Sequence, residues 1–159
     1  MHGLRAWTSS PGRIRPLLAL SYAANWSLDP RPAGFLVVNL ALHVLNAGLA
    51  FALMRRVCAA SGLEGAAAAR LAFSAALLWA LHPVHTEAVS YVASRSSVLS
   101  TSFMLAAVLT YLRELETRGA TRTIWRGLGL AWFVAAMATK EIALATPFLL
   151  VLVDRTLAR

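Results

Sequence analysis

The chain has 159 residues, of which 58% are hydrophobic and 14% are charged, and its formal net charge is +8 at pH 7. A soluble domain rarely combines so few charges with long apolar runs, so the composition indicates an integral membrane protein. The arginines lie between apolar runs, so membrane topology and lipid phosphates explain them better than nucleic acid binding does. A single cysteine, Cys58, excludes an intrachain disulfide.

The beginning of the chain predicts a lead-in followed by a short helix at the membrane surface. Residues 1–15 are polar and predict an irregular segment, and residues 16–159 form one predicted transmembrane domain. Pro16 suits the first position of a helix, and the run from Pro16 to Leu28 is too short to span a bilayer. It therefore predicts an interfacial or partly embedded helix, which the following Asp-Pro-Arg-Pro sequence ends.

The clearest predicted span is Gly34–Met54, whose length matches the hydrocarbon thickness of about 30 Å. Asn39, His43 and Asn46 are spaced by four and three residues, so they share one face of this helix. Such a polar stripe must face protein or water rather than lipid. It indicates hydrogen bonding between helices, with direct substrate contact as the alternative.

The remaining apolar runs complete an all-α, polytopic transmembrane bundle of about five spanning helices and one interfacial helix. Arg55 and Arg56 are predicted to end the first span, and Arg113–Arg126 is predicted to be a charged loop. An uninterrupted helix near the C-terminus would place Lys140 and Glu141 in mid-membrane at high cost, so two helices are expected to meet there, with a single kinked helix as the alternative. The later predicted spans are Ala66–Leu81, Ser97–Leu112, Trp125–Thr139 and Ile142–Val153.

The positive-inside rule gives this bundle an orientation. The arginine-rich loops after the first and third spans are expected in the cytoplasm, which places the His82–Ser96 loop and Lys140-Glu141 outside. The arginines before the first span then also lie outside, against the rule. Either the topology is inverted or, as we favour, these arginines contact an anionic group. Four polar segments would then converge on the outer face. They are Arg15–Arg31, His82–Arg95, Lys140-Glu141 and the outer end of the Asn39 stripe.

The stretch Trp79–Arg95 carries the densest polar chemistry in the chain. Thr86 is a suitable N-cap for a short helix, and Glu87, Tyr91 and Arg95 recur every four residues, so they are predicted to share a helical face. One interpretation is an ion-paired turn at the membrane interface. A second is a metal site formed by His82, His85 and Glu87, although their spacing matches no strong zinc pattern.

A third interpretation is catalysis at a lipid phosphate. Arg95, Lys140 and Arg15 would neutralise phosphate oxygens as charge develops, while Glu87, Glu141 and the two histidines would orient or activate an acceptor.

Four segments resemble a known family in the same order. The chain is similar to the transmembrane-and-tetratricopeptide-repeat proteins, a protein O-mannosyltransferase-like group of the GT-C glycosyltransferases. The resemblance covers most of residues 15–154, and its most specific part is the HP-x-HTEAV piece followed by an arginine. The matching segments are RPLLALSYAAN (15–25), GFLVVNLALHVLNA (34–47), ALHPVHTEAVSYVASRSSVLS (80–100) and ATKEIALATPFLLVLVD (138–154).

The resemblance implies a multi-pass membrane enzyme, in the inner membrane if bacterial, that moves a sugar from a polyprenyl-phosphate carrier to a protein hydroxyl on the extracytoplasmic side. The lipid-linked sugar is a substrate, and no cofactor or metal is expected. Catalytic roles are hypothesised for Glu87, His85 and Glu141. Substrate binding is hypothesised for Arg15, Asn25, Asn39, His43, His82, Arg95 and Lys140.

The chain departs from the family pattern at both ends. GT-C enzymes usually carry an acidic residue in their first outer loop, and Asp29 is a poor substitute because it follows the RP motif. The later spans and the C-terminal repeats of the family are also absent. We therefore expect a partial GT-C-like membrane domain, inactive alone. A transporter module using the Asn39 stripe and a non-catalytic membrane scaffold are the alternative functions.

Overall fold

The computed structural model describes residues 15–157, so the predicted irregular lead-in at 1–15 lies outside the described residues except for Arg15. Within 15–157 the structure is entirely helical. The α-helices are α1 (Pro16–Leu28), α2 (Pro32–Ala60), α3 (Gly65–Ala80), α4 (Thr86–Ser90), α5 (Arg95–Glu116), α6 (Gly119–Met137) and α7 (Thr146–Leu157). Three 3₁₀ turns, Pro83–His85, Val92–Ser94 and Glu141–Ala145, join the later helices.

The turn between α1 and α2 forms where the prolines predict it. Pro32 stands in the first turn of α2, and Asp29 accepts hydrogen bonds from the backbone and side-chain nitrogens of Arg31 at 3.0 and 2.9 Å. These bonds hold the pKa of Asp29 below its usual range. A Cβ at Gly34 would lie 2.7 Å from the Asp29 carboxylate, so only glycine fits this close approach without a shift.

Helix α2 is longer than predicted, because Arg55 and Arg56 do not end it. The helix continues to Ala60 and ends in a Schellman motif, in which the amide of Leu63 donates to the carbonyl of Cys58 at 2.9 Å. Gly62 supplies the left-handed residue of this motif, with φ of 77°. Arginine is a good helix former, so two arginines alone do not stop a helix.

The predicted charged loop Arg113–Arg126 is also wrong. Its ends belong to α5 and α6, so that only two residues, Thr117 and Arg118, join these helices. Glu114 on α5 pairs across the junction with Arg126 at 2.8 Å and with Arg122 at 3.5 Å. The charges thus stabilise a tight helical hairpin rather than an open loop.

The break at Lys140 is present as predicted. Helix α6 ends at Met137, and Lys140 is extended, with φ of −157° and ψ of 142°. The chain then passes through the Glu141–Ala145 turn into α7. This break keeps a lysine and a glutamate out of the middle of a continuous apolar helix.

Two helices among the described residues are long and apolar enough to cross a membrane. They are Pro32–Ala60 and Val92–Glu116, and α3 with the Pro83–Ser90 segment makes a third only if this pair, bent by 52°, counts as one span. The structure is therefore a helical bundle with two or three candidate membrane spans, and the predicted set of five is not confirmed.

Small and polar side chains fill the interior, while large apolar side chains face outward. Ala68, Ala72 and Ala76 of α3 are buried, as small residues at helix contacts in membranes commonly are. The largest fully buried side chains in the described chain are polar, whereas Leu78 and Phe148 are 74% and 79% exposed. A bundle surrounded by lipid has this distribution, because its outer surface meets hydrocarbon.

Candidate functional site

Arg95 is the best-connected side chain at the end of the bundle where α5 begins. It is fully buried, and its guanidinium donates to Asn39 Oδ1 at 2.9 Å and to Asn25 Oδ1 at 2.6 Å. It also donates to the backbone carbonyls of Ser21 at 3.3 Å and Phe35 at 2.9 Å. One side chain therefore joins α1 and α2 to the first residue of α5.

Two aromatic rings complete the Arg95 pocket. The guanidinium carbon lies 4.8 Å from the Tyr22 ring centre and 5.2 Å from the Phe35 ring centre. These are cation–π distances, which suit a planar guanidinium that is weakly hydrated. All hydrogen-bond partners found for Arg95 among residues 15–157 are neutral oxygens, so its charge is stabilised by dipoles and rings.

The connection between α4 and α5 is held by the same group of residues. Tyr22 Oη donates to the Val92 carbonyl at 2.8 Å, and Asn39 Nδ2 donates to the Tyr91 carbonyl at 3.2 Å. Tyr91 itself is extended, with φ of −113° and ψ of 117°. The predicted single helical face of Glu87, Tyr91 and Arg95 is therefore wrong, because the helix is interrupted at Tyr91.

A cavity of about 270 Å³ opens beside this connection. His43 and Trp79 lie on one side of it, His85 and Glu87 come from the α3–α5 connection, and Ser97 comes from the first turn of α5. The other lining residues are Asn46, Val84, Ala88, Ser94, Val98 and Thr101. We call this space the Glu87 cavity.

Three rings form an aromatic wall of the Glu87 cavity. The Trp79 ring centre lies 4.5 Å from that of His85 and 5.5 Å from that of His43. His43 Nε2 lies 2.9 Å from the Ala80 carbonyl oxygen, so this nitrogen carries the proton and donates it. The rings can pack against the apolar face of a bound molecule and offer polar edges.

Glu87 is the charged side chain that lines this cavity, and Lys140 contacts one of the other lining residues. The Glu87 side chain is exposed and makes no hydrogen bond or ion pair with any other residue in the range 15–157. Lys140 does not line the cavity, but its Nζ donates to Ser97 Oγ at 2.5 Å, and Ser97 does line it. The Glu87 carboxylate thus lines the cavity directly, whereas the Lys140 ammonium is linked to it only through Ser97.

The remaining predicted site residues lie around this end of the bundle. Arg15 Nη2 contacts both carboxylate oxygens of Glu141, at 2.8 and 3.1 Å. His82 Nδ1 accepts a hydrogen bond from the Val84 amide at 3.2 Å, so it caps the 3₁₀ turn rather than lining the cavity. The polar segments therefore meet through the contacts of Arg15 with Glu141, of Arg95 with Asn25 and Asn39, and of Lys140 with Ser97, while their location on the outer membrane face stays a prediction.

The polar stripe on α2 is buried against protein. Asn39 and His43 donate to backbone carbonyls as described, and Asn46 Nδ2 donates to the Val98 carbonyl at 2.9 Å. Hydrogen bonding between segments thus accounts for the stripe, while His43 and Asn46 also reach the Glu87 cavity.

Sequence reasoning missed four contributors to this region: Tyr22, Phe35, Trp79 and Ser97. Tyr22 lies on the helix face of Asn25, three residues away, so the helical period could have found it. Trp79 begins the Trp79–Arg95 stretch, but no individual role at the site was predicted for it. No group of three or more His, Cys, Asp or Glu residues able to hold a metal ion occurs in the described part of the chain.

The chain is similar to several curated proteins. It is 38% identical over 144 residues to Drosophila melanogaster protein O-mannosyl-transferase Tmtc3, covering 80% of this chain and 16% of that protein. It is 35% identical over 145 residues to human TMTC4, covering 80% and 19%, and 31% identical over 123 residues to human TMTC2, covering 77% and 13%. The chain thus spans less than a fifth of these relatives. No protein-family model and no solved structure matches it.

Proposed function

We propose, since this chain belongs to a TMTC-like family of protein O-mannosyl-transferases, that it forms part of a membrane site that transfers mannose from a polyprenyl-phosphate carrier to a protein hydroxyl. The sugar, carrier and acceptor belong to the proposal. The observation that supports it is the Glu87 cavity at one end of the bundle: within residues 15–157 its carboxylate makes no side-chain hydrogen bond or ion pair, three rings form one wall, and its lining residue Ser97 accepts a hydrogen bond from Lys140.

The proposed topology has five spans with α1 at the interface. Helix α6, and the 3₁₀ turn together with α7, each measure about 28 Å at standard helical rises. They are therefore close to the hydrocarbon thickness of about 30 Å, and α3 at about 24 Å is slightly shorter. The α5–α6 junction would lie in the cytoplasm, and the His82–Ser96 connection with Lys140 would be extracytoplasmic.

The proposed reaction needs a base and a group that stabilises a leaving phosphate. An acceptor hydroxyl attacks the anomeric carbon of the sugar, the new C–O bond forms, and the bond from that carbon to the phosphate oxygen breaks. Glu87 takes the hydroxyl proton, and Lys140 neutralises charge on the departing polyprenyl phosphate. Trp79 packs against the sugar ring, as indole rings do with the apolar faces of ligands.

His85 contributes as a neutral imidazole in this arrangement. In the proposed topology it lies outside the membrane, and burial lowers its pKa below the usual value, with His43 and His82 adding to the effect. A neutral ring can accept or relay a proton, and it does not compete with Lys140 for the phosphate.

Arg95 and its asparagine partners have a positioning role in this proposal. The guanidinium is fully buried by protein oxygens and rings, and it fixes the connection that carries Glu87. Asn25 and Asn39 support it, and the Arg15–Glu141 pair fixes the segment next to Lys140. His82 shapes the turn that carries His85.

A binding and transfer assay in nanodiscs tests this function. The purified chain is photolabelled with a polyprenyl-phosphate-mannose probe, and Lys140→Gln is expected to reduce labelling about tenfold, because a phosphate contact is lost. Glu87→Gln is expected to leave labelling nearly unchanged. In a full-length relative that carries the same segment, the Glu87→Gln change should abolish mannose transfer.

Two variants at the other end of the bundle serve as matched controls. Arg118→Gln and Glu64→Gln remove the same charges from exposed positions near the α5–α6 junction and the start of α3. They should leave labelling and transfer intact. Labelling that is equal with and without excess unlabelled polyprenyl-phosphate-mannose, or that Arg118→Gln weakens as much as Lys140→Gln, would reject the proposed site.

A further inference from the structure

A second cavity, of about 250 Å³, lies at the opposite end of the bundle between α2, α5 and α6. Arg56 and Arg113 stand at its rim, and Trp125 contributes an aromatic wall. Ala52, Leu109 and Thr110 complete the lining. We call it the Arg56 cavity. It is separate from the Glu87 cavity, because Arg113 lies 16 residues, or about 24 Å, along α5 from Ser97.

The arginines at this rim exceed the carboxylates that can neutralise them. Arg56 Nη1 donates to Glu116, and Arg113 approaches the same carboxylate at 3.5 Å. One glutamate thus serves two arginines. The neighbouring Glu114 is likewise shared by two arginines of α6. The site therefore keeps an excess of positive charge directed at the cavity.

The floor and wall of the cavity are apolar and aromatic, whereas its rim is positively charged. Ala52 and Leu109 provide apolar surface on α2 and α5, and Trp125 is the type of residue that prefers the level of lipid headgroups. A ligand that fits must combine an anionic oxygen group with an apolar portion. A phospholipid has this combination.

The charge distribution over the bundle favours the same ligand. Among residues 15–157, the end formed by the C-terminus of α2, the start of α3, the α5–α6 junction and the end of α7 carries eight arginines and four acidic residues. The described residues of the opposite end include four basic and three acidic ones. Basic pockets between transmembrane helices attract anionic lipid headgroups.

We infer that the Arg56 cavity binds the phosphate of an anionic phospholipid, with Arg56 and Arg113 on the phosphate oxygens and the acyl chains along α2 and α5. This site requires only that the chain lies in a membrane, and it does not depend on glycosyl transfer. Guanidinium groups suit it, because they donate two parallel hydrogen bonds to phosphate.

Native mass spectrometry of the purified chain tests the site with three probes: phosphatidylglycerol, phosphatidylcholine and inorganic phosphate. Phosphatidylglycerol is expected to bind preferentially, and each arginine should contribute about fivefold, so that Arg56→Gln/Arg113→Gln binds about 25-fold more weakly. The control Arg55→Gln/Arg118→Gln removes two nearby charges that do not line the cavity and should retain binding. Helix content by circular dichroism checks that each variant is folded.

A variant that should strengthen lipid binding distinguishes an effect at the site from a general loss of structure. Glu116→Gln removes the carboxylate that competes with the lipid phosphate, so phosphatidylglycerol should bind more tightly. An equal loss in the two double variants, no preference over phosphatidylcholine, or unchanged binding in Glu116→Gln would overturn the inference. Displacement of the lipid by millimolar inorganic phosphate would assign the site to free phosphate instead.

Discussion

At the scale of single residues, Arg95 shows how a buried cation can organise a membrane bundle with no acidic partner among residues 15–157. Its hydrogen bonds reach α1 and α2, and its charge is stabilised by amide and carbonyl dipoles and by two rings. Removing the guanidinium would leave buried oxygens of Asn25 and Asn39 without donors. Leaving such groups unsatisfied is costlier than losing an average hydrogen bond.

Arg95→Ala is therefore expected to destabilise the chain by about 3 kcal/mol, measured by unfolding in mixed micelles. Arg95→Lys keeps the charge but cannot reproduce the planar fork, so it should lose part of this stability. Arg118→Ala, at an exposed position, is the control and should change stability little. If Arg95→Lys left stability unchanged and abolished labelling by the donor probe, Arg95 would contact the donor rather than position the site.

The sequence showed which residue types the site contains, but it did not show which of the cations is buried. Arg95, Lys140 and Arg15 were all predicted as phosphate-binding cations, because charge and order along the chain do not reveal burial. Which arginine is enclosed depends on Tyr22 and Phe35, which lie 73 and 60 positions before Arg95 in the sequence. Such long-range packing leaves no periodic signal.

At the scale of helices, proline and glycine positions and the helical period predicted most helix boundaries at which the sequence carries a strong helix-ending signal. The Asp29–Pro32 stop and the break at Lys140 are both present. The errors fall at Arg55, Arg56 and Arg113–Arg126, where charge was used as a stop signal. Arginine and glutamate favour helices, so only Gly62 and the Thr117-Arg118 junction interrupt these regions.

The Schellman motif after α2 gives a test at this scale. Gly62→Ala forces an alanine into φ of 77°, so it should destabilise the chain by about 1 kcal/mol. Gly48→Ala, inside α2 with open space around an added Cβ, should be neutral or stabilising by up to about 1 kcal/mol. Unfolding in mixed micelles measures both variants, and destabilisation of equal size would contradict the assignment of the motif.

At the scale of the whole molecule, the two ends of α5 differ in the cavity that they line and in the charge around them. The Glu87 cavity lies near its first residues, and the Arg56 cavity lies near its last turns. The all-helical architecture followed from composition and apolar runs. The number of spans did not follow, because α3, α6 and α7 are short. Whether each of them crosses the membrane depends on the segments next to it.

Cysteine labelling determines which end of the bundle faces the cytoplasm. In a Cys58→Ala background, Ser90→Cys should react with a membrane-impermeant maleimide from the extracytoplasmic side, and Arg118→Cys only after the membrane is opened. Both positions are exposed, so accessibility to the reagent does not limit either reaction. The reverse pattern would invert the proposed topology and place the Glu87 cavity in the cytoplasm.

The Arg95 contacts also dictate an order of assembly during synthesis. Asn25 is made 70 residues before the guanidinium that it accepts. In the proposed topology, α1 therefore stays at the membrane surface while α2 and α3 are inserted, and it can dock only after the start of α5 has been synthesised. Docking of α1, the first of the described helices, thus depends on a residue synthesised much later, so a chain interrupted before Arg95 would leave α1 undocked.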